Sequence, residues 1–159
     1  MAHSTKRPSA SALASVALAI ALGAAIGTGG YTFVSAKGYA YLQDDPAACA
    51  NCHVMKDHYA GWLRSSHRGV ATCNDCHTPS GAVAKLINKA DNGFWHGLKF
   101  TTGDFVEPIR IRADNRRITE AACRKCHADL VDPIDSHHPD ADRSSCVRCH
   151  GSVGHPDDR

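Results

Sequence analysis

The chain has 159 residues, with eight cysteines and eleven histidines against only four phenylalanines and two tryptophans. Its formal net charge is +2, and its lysines and arginines are scattered instead of forming one face, which argues against nucleic acid as a partner. Outside an apolar N-terminal stretch, roughly 120 residues remain that are polar, punctuated by Gly and Pro and poor in aromatics, too few to bury a large aliphatic core, so disulfides, metals or cofactors must organise them.

The first predicted element is an apolar run over residues 11–36 without one charged side chain, preceded by Lys6 and Arg7 and followed by Lys37. At about 1.5 Å per residue it is long enough to cross a hydrocarbon core of about 30 Å. It also far exceeds the roughly 7 to 15 apolar residues of a cleaved signal, although Val34-Ser35-Ala36 resembles a cleavage site. The run therefore predicts an uncleaved anchor. Lys6 and Arg7 place its N-terminus in the cytoplasm, and Tyr31, Tyr39 and Tyr41 stand where an aromatic belt on the far side belongs. The spacing of Gly23 and Gly27 also suits a helix-packing face.

Two cysteine-rich blocks follow, joined by a middle segment. A short helix is predicted over 82–88 and another from Thr119, where Thr119-Glu120 can cap the approach to Cys123; the only alternating stretch is 109–112. Each block holds two Cys-x-x-Cys-His units. These are Cys49-Ala50-Asn51-Cys52-His53, Cys73-Asn74-Asp75-Cys76-His77, Cys123-Arg124-Lys125-Cys126-His127 and Cys146-Val147-Arg148-Cys149-His150. Every cysteine is used. Paired zinc ribbons fit the intervals of 20 residues between Cys52 and Cys73 and 19 between Cys126 and Cys146. A disulfide scaffold is a further alternative. Neither explains a histidine after the second cysteine four times, which chance gives on the order of once in 40,000. Covalent c-type haem does: two thiols offset by one turn add to the two vinyl groups of one porphyrin edge, and the next histidine reaches the iron. Four such haems supply the missing apolar core.

His53, His77, His127 and His150 thus offer one axial ligand each. His67 lies between the motifs of the first block, His137 and His138 between those of the second, His155 five residues past the last motif and His96 after the first block. A reciprocal exchange gives His67 to the fourth haem, His155 to the third and one of His137 and His138 to the second; His58 is read as a surface residue. Met55, two residues past the first motif, can displace His53 as axial ligand and raise the potential of that haem.

The predicted fold is mostly α and irregular: one N-terminal transmembrane helix, then a small multihaem cytochrome c domain of short helices and loops packed on four haems. The expected organisation is a cytoplasmic N-terminus over 1–10, the anchor over 11–36, a linker over 37–48 and a periplasmic haem domain over 49–159, with repeat blocks 49–77 and 123–155.

Nearly the whole chain resembles the NapC/NirT-type membrane-anchored tetrahaem quinol dehydrogenases, and within them the NrfH-like small subunits of the cytochrome c nitrite reductase complex. The most specific pieces are the first motif with Val54-Met55, Cys73-Asn-Asp-Cys-His77, Lys89-Ala-Asp-Asn-Gly93 with Phe100-Thr-Thr-Gly103, and the interval from His150 to His155. The resemblance implies oxidation of menaquinol at the membrane face and electron delivery along four haems to a periplasmic multihaem reductase. It implies Met55 on the first haem, Lys89 at the quinol pocket, and His67 and His155 completing the fourth and third haems. In some members an acidic residue stands on the distal side of the first haem, where the matching position here is His96. The histidine pair at 137 and 138 is a second departure, letting this chain complete its own second haem. Read from the residues alone, Lys89, Asp91 and His96 are candidate catalytic groups, able to accept the protons that quinol oxidation releases. A haem wire or assembly anchor without quinol chemistry, a reductase in its own right, and delivery to a nitrate or N-oxide reductase are the competing readings.

Overall fold

The computed structural model describes residues 8–137 and 145–155, and the chain divides after Tyr39 into two compact units. In the first, the apolar run forms α1, Ala10–Ser35. Ser9 caps it, its hydroxyl accepting the Ala12 N–H at 3.3 Å, as an N-cap serine does for one of the donors a helix start leaves unpaired. Every residue of α1 is exposed, and it is the one described helix long and apolar enough to cross a membrane.

The second unit is helical throughout, and no strand occurs among the described residues. A 3₁₀ turn over Gly38–Leu42 leads to α2, Pro46–Cys49, whose start is fixed by Pro46 at the first helical position and by the Asp45 carboxylate accepting the Ala47 N–H at 2.9 Å. After a second 3₁₀ turn, His53–Met55, come α3, Lys56–Arg64, and α4, Cys73–His77. Then follow α5, Ala82–Thr102; α6, Ala113–Cys126; α7, Ala128–His137; and α8, Cys146–Cys149.

Two sequence expectations are corrected here. The helix expected over 82–88 continues for 21 residues to a left-handed Gly103, absorbing the middle segment despite Gly93 and Gly97, each of which costs about 1 kcal/mol relative to alanine. Tertiary links along its length offset that cost. Asn88 and Asn92, one turn apart, both meet Asn115 of α6, whose amide donates to Asn92 Oδ1 at 2.7 Å. The helix expected from Thr119 begins at Ala113. Thr119 is interior to α6, its hydroxyl donating back to the Asn115 carbonyl at 3.1 Å, and Glu120 caps a different helix. The alternating stretch 109–112 is loop, with no neighbouring chain to form a ladder.

Among the described residues no hydrophobic side chain is buried. The buried side chains are polar, Thr78 and Lys89, and Val83, Leu86, Ile87, Phe94 and Leu98 of α5 are all exposed. Elements are joined instead by polar bridges such as Arg124 of α6 to Asp135 of α7 at 2.8 Å.

Candidate haem-attachment site

Three of the four motifs share one construction. In α4 the pair Cys73 and Cys76 lies one turn apart, and the Asp75 carboxylate accepts from the Thr72 amide at 2.8 Å and hydroxyl at 2.7 Å, so the helix starts at the first cysteine. These bonds hold the Asp75 carboxyl below its usual range. Cys123 and Cys126 form the last turn of α6, with His127 as its C-cap. Cys146 to Cys149 are the whole of α8, with His150 as C-cap. Its start is held by Glu120 of α6, which accepts from Ser145 Oγ at 2.5 Å, Cys146 N at 2.8 Å and Val147 N at 3.3 Å. Although burial opposes it, the sum of these bonds lowers the Glu120 pKa.

The first motif is built differently. Cys49 ends α2, Cys52 takes extended backbone at φ −82 and ψ 128, and His53 to Met55 form a separate 3₁₀ turn. His53 is exposed, whereas Met55 is half-buried at the head of α3.

The motifs adjoin in chain order. α2, ending at Cys49, packs against α4, starting at Cys73, and the two thiols couple so that Cys49 is held down and Cys73 driven up. α4 packs closely on α6, which links the second motif to the third, and burial raises the thiols of both Cys76 and Cys123. Burial first, then Glu120, pushes Cys146 up to about 11, and Cys123 adds to the rise, linking the fourth motif to the third.

Of the expected distal ligands, His67 places its ring 6.1 Å from that of His127, and its Nδ1 lies 3.2 Å from the Val153 carbonyl just past the fourth motif. His155 lies 6.0 Å from the His77 ring and nearly parallel to it, and its Nδ1 is 3.3 Å from that of His58. His58 is therefore half-buried in an imidazole cluster, not at the surface as expected. Burial, then His155 and His58, lowers His77 to about 4, and its Nδ1 lies 3.5 Å from the Thr119 hydroxyl. His137 closes α7, and His138 lies outside the described residues.

The candidate catalytic residues all lie on α5 but not on one face. Residues 85, 89, 93 and 96 form a stripe that meets the segment 41–44. Tyr41 Oη lies 2.9 Å from His96 Nδ1, the Tyr41 ring lies over Gly93, and Lys89 Nζ donates to the Gln43 carbonyl and to Asp44 Oδ1, both at 2.7 Å. Lys85 takes the other Asp44 oxygen at 2.6 Å. Two lysines hold the Asp44 carboxyl down at about 2. Asp91 faces elsewhere, paired with Arg112 at 2.7 Å, and the Arg112 guanidinium stands 5.9 Å over the Trp95 ring. Lys89 and Asp91 are thus each held in an ion pair. His96 is open to solvent at its surface; packing around it and the charge of Arg112 lower its pKa. Tyr41, Asp44, Arg112 and His58 were missed in the sequence. Tyr41 read as one of three belt tyrosines, and only the length of α5 shows that it reaches His96.

The donor set fits haem. Four thiol pairs at i and i+3 carry no disulfide, each is followed by an imidazole, and the exposed aliphatic and aromatic side chains around them suit an apolar macrocycle. An all-helical fold with this donor set defines a c-type cytochrome.

The family model of the NapC/NirT cytochrome c family, N-terminal region, matches residues 9–158, and the chain belongs to that family. It is 39% identical over 150 residues to the cytochrome c-type protein NrfH of Wolinella succinogenes, covering 88% of this chain and 82% of that protein. It is 29% identical over 120 residues to the cytochrome c nitrite reductase subunit NrfH of Nitratidesulfovibrio vulgaris, covering 76% and 72%. The tetraheme c-type cytochrome CymA of Shewanella oneidensis is 27% identical over 177 aligned positions, covering 92% and 93%. A chain in the crystal structure of the cytochrome c nitrite reductase NrfHA complex bound to the HQNO inhibitor superposes with a TM-score of 0.60 at 26% identity, covering 89% of this chain and 87% of that one.

Proposed function

We propose that this protein is a single-pass membrane cytochrome with four covalent haems that oxidises menaquinol and passes the electrons to a periplasmic multihaem reductase, cytochrome c nitrite reductase. The contiguity of the four attachment turns in chain order carries this reading, because it gives one path from the motif nearest the anchor in sequence to the motif farthest from it. The likeness to the NrfH proteins and to a chain of the NrfHA complex supports nitrite reductase as the electron acceptor. In this reading α1 spans the inner membrane with its N-terminus in the cytoplasm, and residues 49–159 are periplasmic.

The haem iron supplies one-electron redox chemistry, and the chain supplies attachment, ligands and proton management. Cys49 and Cys52, Cys73 and Cys76, Cys123 and Cys126, and Cys146 and Cys149 hold the four porphyrins. Met55 would ligate the first in place of His53, and His77, His127 and His150 would ligate the others. The second ligands would come from His67 and His155, whose rings lie beside His127 of the third motif and His77 of the second instead of the fourth and third expected from the sequence, and from one of His137 and His138. Menaquinol loses two electrons and two protons; Lys89 orients the quinol oxygen as a fixed cation, and His96 accepts the two protons in turn, passing each to water. The test is reduction of the purified holoprotein by a menaquinol analogue, followed by its oxidation when cytochrome c nitrite reductase and nitrite are added. Reduction by dithionite but not by the quinol analogue would show a haem wire without quinol chemistry.

A further inference from the structure

We propose that Tyr41 is a positioning residue of the quinol-oxidising site, acting through the hydrogen bond between its hydroxyl and His96 Nδ1. The inference rests on the reading that His96 accepts a quinol proton. The bond is 2.9 Å long and joins residues 55 positions apart, so it is a tertiary contact and not a helical neighbour pair. The Tyr41 ring is half-buried against α5, where a Cβ on Gly93 would stand 3.5 Å from its Cγ, and the ring centroids of Tyr41 and His96 are 6.0 Å apart. The ring is thus seated before the hydroxyl makes its bond. Burial, with added effect from Cys52 and Cys49, pushes the Tyr41 hydroxyl up to about 12, so it stays protonated. Two and three residues on, Gln43 and Asp44 hold Lys89. One short segment therefore fixes both groups that the reaction needs on α5.

The chemistry of an imidazole base explains why this bond matters. When menaquinol gives up its electrons to haem, a hydroxyl proton must pass to an acceptor, and neutral imidazole accepts at one nitrogen only if the other carries the hydrogen. In the tautomer that carries its hydrogen on Nδ1, that N–H donates to the Tyr41 oxygen, and Nε2 keeps its lone pair and its direction. After it takes the proton, the imidazolium still donates from Nδ1 to the same oxygen, and the proton on Nε2 leaves to water. A hydrogen-bond partner on the second nitrogen is the usual means of fixing tautomer and ring orientation, and its loss typically costs about 10- to 100-fold. No other candidate on α5 is open for that task, since Lys89 is bound to Asp44 and Asp91 to Arg112.

The test is Tyr41→Phe in the full-length, haem-loaded protein, which keeps the ring over Gly93 and removes only the hydroxyl. The expected result is a kcat for menaquinol-analogue oxidation roughly tenfold lower, with KM within about twofold of the wild type. Haem content, absorption and EPR spectra and the rate of reduction by dithionite should be unchanged. A wild-type kcat in Tyr41→Phe overturns the proposal and leaves Tyr41 as packing. A raised KM at unchanged kcat also overturns it, since the hydroxyl would then contact substrate. An altered first-haem spectrum overturns it too, because the effect would reach the reaction through the iron and not through the base. His96→Gln separates the two layers: if that variant oxidises quinol at the wild-type rate, the underlying assignment of His96 fails, whatever Tyr41→Phe does.

Discussion

The first motif and the other three carry the same residue pattern and two different backbones. In the second, third and fourth, both cysteines share a helical turn, and the histidine follows at or just past its end. In the first, the helix stops at Cys49, Cys52 is extended, and the next three residues form their own 3₁₀ turn. The difference separates attachment from ligation. A continuous turn delivers its histidine in fixed register with its thiols, whereas a broken one lets Met55 compete with an exposed His53.

The contrast is broken most severely through the cysteines. The third motif lies between the second and the fourth, so Cys123→Ser is expected to lose its haem and to disturb both neighbours, seen as fewer than three native haems in a haemochrome assay and altered EPR signals. Cys52→Ser, at one end of the series, should leave three haems with native spectra. Equal damage from both would contradict the serial arrangement.

Ligation comes next in size. His127→Ala should convert one low-spin haem to high spin without loss of covalent attachment, because the thioethers hold the porphyrin independently. His53→Ala should leave the low-spin signals intact. Met55→Leu should change the first haem and lower its potential, since thioether ligation raises it. Identical EPR spectra for wild type and Met55→Leu would return that position to His53.

A smaller effect is expected at Glu120, which ties the third motif's helix to the start of the fourth. Glu120→Gln should destabilise by about 1 kcal/mol in chemical denaturation, the usual cost of a lost N-terminal cap. Because the folded-state pKa of Glu120 is lowered, its contribution is present above the ordinary carboxylate range and is lost as pH falls through the folded-state value. The wild-type advantage over Glu120→Gln should therefore shrink in acid. The smallest change is expected for Gly93→Ala: the new methyl meets the Tyr41 ring at ordinary contact distance, and helix propensity gains up to about 1 kcal/mol. A large loss of stability there would mean that Tyr41 is seated more tightly than its contacts imply.

The attachment chemistry was legible in the sequence because it is local, with four pentapeptides at fixed spacing and a charge-free apolar run. What escaped is what depends on long-range pairing. The helix expected over 82–88 runs on to Thr102 because Asn115 and Arg112 hold one side of it and the segment 41–44 holds another. Glu120 carried the right signal, a cap, but for a helix 26 residues further on. Tyr41 and His58 are ordinary residue types whose partners, His96 and His155, lie 55 and 97 residues away. No short window contains both ends of such a pair.

The lack of a buried aliphatic side chain among the described residues has a thermodynamic consequence. The heat-capacity change of unfolding comes chiefly from apolar surface returned to water, and this polypeptide sequesters little such surface by itself. Covalent haem would bring the missing apolar surface, so the heat-capacity change of unfolding is expected to be larger for the haem-loaded protein than for the bare chain. A chain awaiting its cofactors is then expected to be the more open to proteases, which limited proteolysis before and after haem attachment would show.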